Sequence, residues 1–385
     1  MYKSDYVAIS IGCFSEVNRQ LYYELAKLGK SVTIVFPEQL PFPDGMRTYE
    51  KITNTTVTAI PSKTFFKNPR LTQYKGLKKI IANNRPQYVY TEYDPASLLG
   101  VVLGWWSKKY KFKLICNSCE NLELDVKSVY RREGIKGMLP CLMKNLFIKL
   151  SKHNVYHIFA LGQDGKRIFE NLGYKSVSII HLGFDELLFA PNPTKRNEIR
   201  KELNLTTTVI GYFGRTVPEK GVHILIQALA KLKHLQWQFL VDEFSIYKTP
   251  YQQSLIDSIA QLGIADRVTY FDAPHETVAW YMCATDIAVV HSLSSKKWKE
   301  QYGRVAPETM ACGNAVLVSS SGTLKELVPN SSYVIPEGDV NALANKLEEL
   351  LNNPTLITQM GELAHNHAHS KYTMVKQAQL IASIS

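Results

Sequence analysis

The sequence predicts an α/β protein made of two doubly wound domains, and three observations carry that prediction. The chain has 385 residues, a length that suits two domains of ordinary size. Short β-branched runs alternate with amphipathic stretches along most of it, as parallel sheets with helical crossovers require. The alternation halts at Gly183–Asn197, a connection carrying Pro191, Pro193 and charges that reads as a linker, and then restarts.

In the first half, Val7–Ile11, Ser31–Phe36, Val57–Ile60, Gln87–Glu92, Lys113–Cys116, Val155–Leu161 and Val177–His181 read as strands. Val17–Leu28 and Thr72–Asn83 read as amphipathic helices between them. In the second half the strands are Thr208–Phe213, Gln236–Val241, Arg267–Phe271, Ile287–Val290, Ala315–Ser319 and Ser332–Ile335. Helices are expected at Glu219–Lys233, Tyr251–Leu262 and Val340–Asn352, and from Pro354 to the end. The expected division is an N-terminal domain over 1–188, a C-terminal domain over 189–360, and a helical segment over 361–385 that crosses back to the first domain. Open sheets of this kind bind ligands at the carboxyl ends of their strands, so two facing sheets would share one cleft.

Several function classes are disfavoured. The first strand ends in Ser10-Ile11-Gly12-Cys13, with one glycine where a dinucleotide fold carries G-x-G-x-x-G. No Walker A, G-x-S-x-G or H-E-x-x-H motif occurs. Cys116 and Cys119 form a lone C-x-x-C with no second pair to complete a zinc site. The acid pairs at Glu92/Asp94 and Glu123/Asp125 read as structural or acceptor-side rather than as metal ligands. His365, His367 and His369 read as part of a solvated terminal helix. No metal or cofactor is expected.

The N-terminus lacks the pattern of a secretory signal. The most apolar run, Pro95–Trp106, is shorter than the ~20 residues a bilayer crossing needs. A cytoplasmic protein is expected, with peripheral attachment to the inner membrane face as a candidate. Residues 1–190 hold 27 Lys/Arg against 16 Asp/Glu, and residues 191–385 hold 18 against 18, so the first half carries the whole excess of +11. That asymmetry points to an acidic partner for the first half, an anionic membrane surface or a phosphorylated acceptor, or else to a solvated basic face. No recognised module supports nucleic-acid binding. Met138–Lys152 mixes leucines with lysines and reads either as a core helix with a basic edge or as a membrane-docking helix.

Two stretches carry chemistry. In Gly214-Arg215-Thr216-Val217-Pro218-Glu219-Lys220-Gly221, a strand gives way to a helix start. Gly214 lets a ligand approach the backbone, Arg215 and Lys220 supply two cations, and the helix start adds partial positive charge. Such a turn suits a diphosphate. The second stretch runs from Glu300 to Gly313 and places Glu300 in a loop and Glu308 in the first turns of a helix that ends at Gly313. Carboxylates accept hydrogen bonds from hydroxyls, so sugar and ribose are natural targets.

Together these stretches resemble the family 4 glycosyltransferases, retaining enzymes of the GT-B fold. Gly214–Gly221 is similar to the family's G-R-x-x-P-E-K-G. Glu300–Gly313 is similar to E-Q-F-G-R-V-x-x-E-A-M-A-C-G, with Tyr302 and Thr309 as changes, and Ser320, Gly322 and Glu326 follow as S-x-G-x-x-x-E. His181–Asp185, with Phe189 and Pro191, resembles the family's interdomain segment. The Lys297-Trp298-Lys299 lead-in is similar to bacterial exopolysaccharide members.

The resemblance implies a two-domain fold with a cleft, and a metal-independent hexosyltransferase that uses a nucleotide-sugar. UDP-glucose-type donors are preferred, then GDP-mannose, with a glycan or lipid-linked acceptor. It implies that Arg215 and Lys220 bind the diphosphate, Glu300 the transferred sugar and Glu308 the ribose. Backbone at Tyr302, Gly303, Arg304 and Val305 would touch sugar or phosphates, Ala273 would lie against the base, and Gly12 and Gly214 would approach the diphosphate. The first half departs from the family pattern. Only Gly12 stands for a paired-glycine turn, and Glu120 stands near where many members place a histidine, as the nearest substitute for an acceptor contact or base. The strand end at Val241–Phe244 lacks the glycines often found there. Two alternatives stand beside the main reading: a soluble sugar or sugar-phosphate synthase of the same fold, and a nucleotide-sugar-binding subunit without turnover.

Overall fold

The structure is a computed structural model that describes residues 2–384 except 43–44, 66–67, 69 and 243–247. It divides into two compact units, Met1–Gly183 with Met374–Ser385, and Phe184–Thr373. The first unit's main sheet comprises β1 (Ser4–Ile9), β2 (Val32–Pro37), β3 (Thr58–Ser62), β4 (Pro86–Thr91), β5 (Lys113–Ser118), β6 (His157–Ala160) and β7 (Val177–Ile179). The second unit's comprises β8 (Thr208–Tyr212), β9 (Trp237–Asp242), β10 (Val268–Phe271), β11 (Ile287–Val290), β12 (Ala315–Ser319) and β13 (Val334–Ile335).

The strand orders are β7-β6-β5-β4-β1-β2-β3 and β10-β9-β8-β11-β12-β13. Every pairing in both sheets is parallel; Val7 lies beside Thr33 on one side and Val89 on the other, and Ile210 lies beside Ile287. Both are doubly wound, and each reverses direction once, between β1 and β4 and between β8 and β11. Those are the points at which such sheets bind ligands. Strands β2, β6, β11 and β12 are buried at every residue, because helices cover both faces of a parallel sheet and leave no polar side. This explains why they read as continuous apolar runs. The expected strands all form, with ends shifted by a few residues.

The connection read as a linker is shorter than expected. Asn192 accepts a hydrogen bond from the Lys195 amide at 3.0 Å and caps a helix over Pro193–Glu202. Pro193 is the first helical residue, where its missing N–H costs nothing. The division falls between Gly183 and Phe184 rather than at 188. The helix Pro354–Lys371 stays with the second unit, where the Met360 carbonyl accepts from the Tyr333 hydroxyl at 2.8 Å. Only the last helix, Met374–Ser383, groups with the first unit. It packs on Gln20–Lys27, and the Ile381 carbonyl accepts from the Tyr6 hydroxyl at 3.4 Å.

The three histidines are not a solvated row. His365 bonds the Ala311 carbonyl at 2.8 Å, His367 meets the Tyr372 hydroxyl at 3.1 Å, and His369 lies against the Phe184 ring. Among the described residues no group of three or more His, Cys, Asp or Glu is placed to hold a metal ion. No helix of the described residues is long and apolar enough to cross a membrane.

Candidate functional site

In the second unit, the two motifs leave adjacent strands on either side of the reversal. After β8 the chain passes Gly214, then a 3-10 turn over Pro218–Lys220, then the helix Val222–Lys231. After β11 it passes His291 and Ser292 into the loop that carries Glu300, then the helix Val305–Ala311. The two loops are joined directly. The Leu293 amide donates to the Glu219 carbonyl at 2.8 Å. Gly221 has φ +67°, and a Cβ there would lie 2.0 Å from the His291 carbonyl oxygen. Only glycine permits that approach, and it fixes Lys220 beside the second loop.

Glu300 is buried, and its Oε2 accepts from the Lys220 ammonium and from the Ser292 hydroxyl, the latter at 2.6 Å. The Lys220 ammonium also lies 5.3 Å from the centre of the Trp298 ring, a cation–π distance. The Glu300 backbone is held by Gly322, whose φ is +52° and whose Cβ would overlap the Glu300 carbonyl at 1.9 Å. The Thr323 amide donates to that same carbonyl at 3.3 Å. The Ser-x-Gly-x-x-x-Glu stretch therefore acts as a backbone clamp on the Glu300 loop.

Glu308 is buried on the helix Val305–Ala311, and burial pushes its carboxyl up to about 7. The Arg304 guanidinium, 3.6 Å away, pulls the other way. Gly214 faces the start of this helix, with the Val305 Cγ2 methyl 3.7 Å from the position a Cβ would take. Arg215 is exposed, and among the described residues no hydrogen bond or ion pair engages its guanidinium; its carbonyl accepts from the Tyr212 hydroxyl at 2.7 Å. His291 is buried, with Nε2 accepting from the Gly338 amide at 3.1 Å, and burial holds its pKa down to about 4.

The structure thus brings together Lys220 with Glu300, Gly214 with Val305, and Arg304 with Glu308. Tyr302 is buried and Gly303 takes φ +80° in the loop between. Ala273 sits past the end of β10, two strands from β8 along the same sheet edge. The strand end expected near the ligand at Glu243 and Phe244 lies outside the described residues. A separate cavity of about 440 Å³ is lined by Asp286 and Asn314. Those residues precede β11 and β12, so this cavity lies at the amino ends of the strands, where Cys312 and Gly313 at the far end of the second motif also line it, and its lining includes neither Lys220 nor Glu300.

Gly12 and Glu120 belong to the first unit. Gly12 opens a 3-10 turn after β1, and a Cβ there would lie 3.4 Å from the Glu92 carboxylate across the β1/β4 reversal. Glu92 accepts from the Ser10 and Tyr22 hydroxyls. Asp94 accepts from the Ser118 hydroxyl at 2.7 Å and the Ala96 amide at 2.7 Å; burial, then the nearby Glu120, pushes its pKa up. Glu120 pairs with Arg70 at 2.9 Å and Lys144 at 3.3 Å. Glu92 and Asp94 are thus bound within the fold, and Asp125 caps the helix Val126–Glu133 through the Ser128 amide at 2.9 Å.

Sequence reasoning did not single out Ser292 or the cations Arg70 and Lys144 that hold Glu120. Ser292 offered only its position just past a strand end. Trp298 was noted for its neighbours rather than for its ring.

Residues 195–367 fit the family described as Glycosyl transferases group 1. That segment is a group 1 glycosyltransferase domain. A lipopolysaccharide 1,2-N-acetylglucosaminetransferase of Salmonella typhimurium is 29% identical over 230 residues, 54% of this chain and 56% of the relative. A D-inositol 3-phosphate glycosyltransferase of Corynebacterium diphtheriae is 28% identical over 220 residues, 54% of this chain and 50% of the relative. The chain spans about half the length of the curated relatives it matches. Among solved structures, Anabaena HepE in complex with UDP superposes with a TM-score of 0.71 at 19% identity, over 98% of each chain. That likeness shows the fold across the whole chain, two parallel-sheet α/β units of the GT-B class.

Proposed function

We propose that the chain is a retaining, metal-independent hexosyltransferase that takes a hexosyl group from a UDP-sugar and passes it to a glycan or lipid-linked acceptor in polysaccharide or lipopolysaccharide-type synthesis. The observation that carries this is the junction of Lys220 and Glu300 at the reversal of the second sheet. A cation for phosphate and a carboxylate for hydroxyls share one anchored corner. The donor's diphosphate lies along the Gly214–Lys220 turn, where Arg215 and Lys220 meet the charge that builds as the anomeric bond breaks. Preorganised donors of this kind stabilise a leaving group without a metal ion. Glu300 holds hydroxyls of the sugar, backbone at Tyr302–Val305 lies along it, and Glu308 accepts from the ribose. Ala273 borders the base. Glu120, in the first unit, serves the acceptor as a contact or base. Attack comes from the face the diphosphate leaves, which retains configuration. The lipopolysaccharide in the Salmonella relative's name supports the glycan, and the UDP bound to HepE supports the donor base.

A second reading is favoured by the D-inositol 3-phosphate relatives and by the basic first half: a soluble phosphorylated sugar or polyol as acceptor. Acceptor screening with and without lipid carriers separates the two.

The donor reading is tested by thermal denaturation with UDP, UDP-glucose and GDP, on wild type and Arg215→Ala. A ligand at 100 times its Kd stabilises by about 2.7 kcal/mol. The expected result is a rise in Tm with UDP ligands, weakened in the variant. A rise with GDP alone overturns the base, and no rise with any nucleoside diphosphate at millimolar concentration overturns the site.

A further inference from the structure

The helix Met138–Ser151 buries one face and leaves the other bare. Cys141, Phe147, Ile148 and Ser151 are buried, with Ile148 joining the first unit's core beside Leu99 and Leu103. Leu139, Leu142, Leu146 and Leu150 follow at i, i+3, i+7 and i+11, which places them on a single stripe. All four are exposed, Leu139 at 78% and Leu142 at 54%, and Ile135 in the turn before them is 80% exposed. Single exposed leucines need no explanation, but an uninterrupted row of them does.

The charge around the row is one-sided. Residues 126–152 hold seven Lys/Arg and one Asp/Glu. Arg132 is paired with Glu133 and Lys144 with Glu120. Lys127, Arg131, Lys136 and Lys149 are exposed, and among the described residues none of them has an ion-pair partner. An apolar stripe flanked by unpaired cations is the pattern of a helix lying in a lipid interface. A second copy of this chain fits it poorly, since pairing the stripe with itself would set these cations against one another.

We propose that the Ile135–Leu150 stripe docks the first unit on an anionic lipid surface, with the leucines in the headgroup boundary and Lys136 and Lys149 on lipid phosphates. The inference rests on the first unit alone and not on the donor reading above. It gives the basic half of the chain its acidic partner.

The test is co-sedimentation of the full chain with vesicles of phosphatidylethanolamine containing about one-third phosphatidylglycerol, against vesicles of phosphatidylcholine alone. Wild type should bind the anionic vesicles and release as salt screens the attraction. The triple variant Leu139→Gln, Leu142→Gln, Leu146→Gln should bind at least about tenfold less. Lys136→Glu with Lys149→Glu should lose at least about 25-fold, near fivefold for each cation removed. Because these side chains are exposed, both variants should melt with wild type, which excludes misfolding as the cause. No binding of wild type to anionic vesicles, or binding unchanged in the variants, overturns the proposal. So does a wild-type dimer in light scattering that the leucine variant abolishes without any vesicle binding. Vesicle binding together with no Tm rise from any nucleotide would sink the donor reading and leave the docking surface standing.

Discussion

Replacing Glu308 by glutamine should stabilise the protein above neutral pH and do little below pH 5. The carboxyl is buried and its folded-state pKa is raised from 4.5 to about 7. A carboxyl raised in this way binds its proton more tightly folded than unfolded, so the folded state is favoured at low pH. That contribution is complete below the unfolded pKa, fades as pH climbs from about 4.5, and is gone above about 7. The gap of roughly 2.5 units corresponds to about 3 kcal/mol at 1.36 kcal/mol per unit. Glutamine has the same shape and no charge to bury, so it escapes the cost. The lost pairing with Arg304 subtracts little, since that guanidinium is 38% exposed and the separation is 3.6 Å. For a unit of this size each kcal/mol moves Tm by about 2–4 °C, so the variant should melt roughly 6–12 °C higher at pH 8.5. Calorimetry of wild type and Glu308→Gln across pH 5 to 9 measures this. Curves that stay parallel, with the same difference at both ends, would refute the idea that burial of this carboxyl controls its proton.

Two further outcomes follow from the same corner. Lys220→Met takes the paired cation from the buried Glu300 carboxylate and should cost about 3–5 kcal/mol, the range for breaking a buried ion pair by removing one partner. Adding Glu300→Gln should restore most of that stability in urea denaturation without restoring any nucleotide-induced Tm shift; a double variant no more stable than the single refutes the pairing. Gly221→Ala puts a methyl group where the His291 carbonyl lies and forces a left-handed alanine, so a loss of about 2–4 kcal/mol is expected by denaturant titration. A stable Gly221→Ala protein would mean that the two loops are not held together there.

Most of the fold was legible in the sequence because parallel strands buried on both faces write themselves as unbroken apolar runs. Ile287–Val290 and Ala315–Ser319 were read to the residue for this reason. The errors came where one signal serves two purposes. Pro191 and Pro193 mark a linker in most chains, but here Asn192 and Pro193 open a helix. The histidines near the end look solvated in a list, yet two of them find partners only through tertiary packing. Arg19 is wholly buried, its guanidinium capping the carbonyls of Cys13, Phe14 and Glu50. Nothing in a local pattern separates such an arginine from a surface one.

The candidate site divides in the same way, and the reason is physical. The second unit's motifs combine glycines at positive φ, cations and carboxylates within a few residues of each other. Each loop can touch the other only if Gly221 and Gly322 lack side chains, so the geometry is written into the sequence. Ser292 carries no such mark, because a serine after a strand has many uses and only the fold brings it to Glu300. In the first unit, Glu120 is joined by Arg70 from 50 positions upstream and Lys144 from 24 downstream, and no spacing rule links the three. A site assembled from distant single residues leaves no local trace. The first half of the chain is therefore the half in which sequence reading ends first and the structure contributes most.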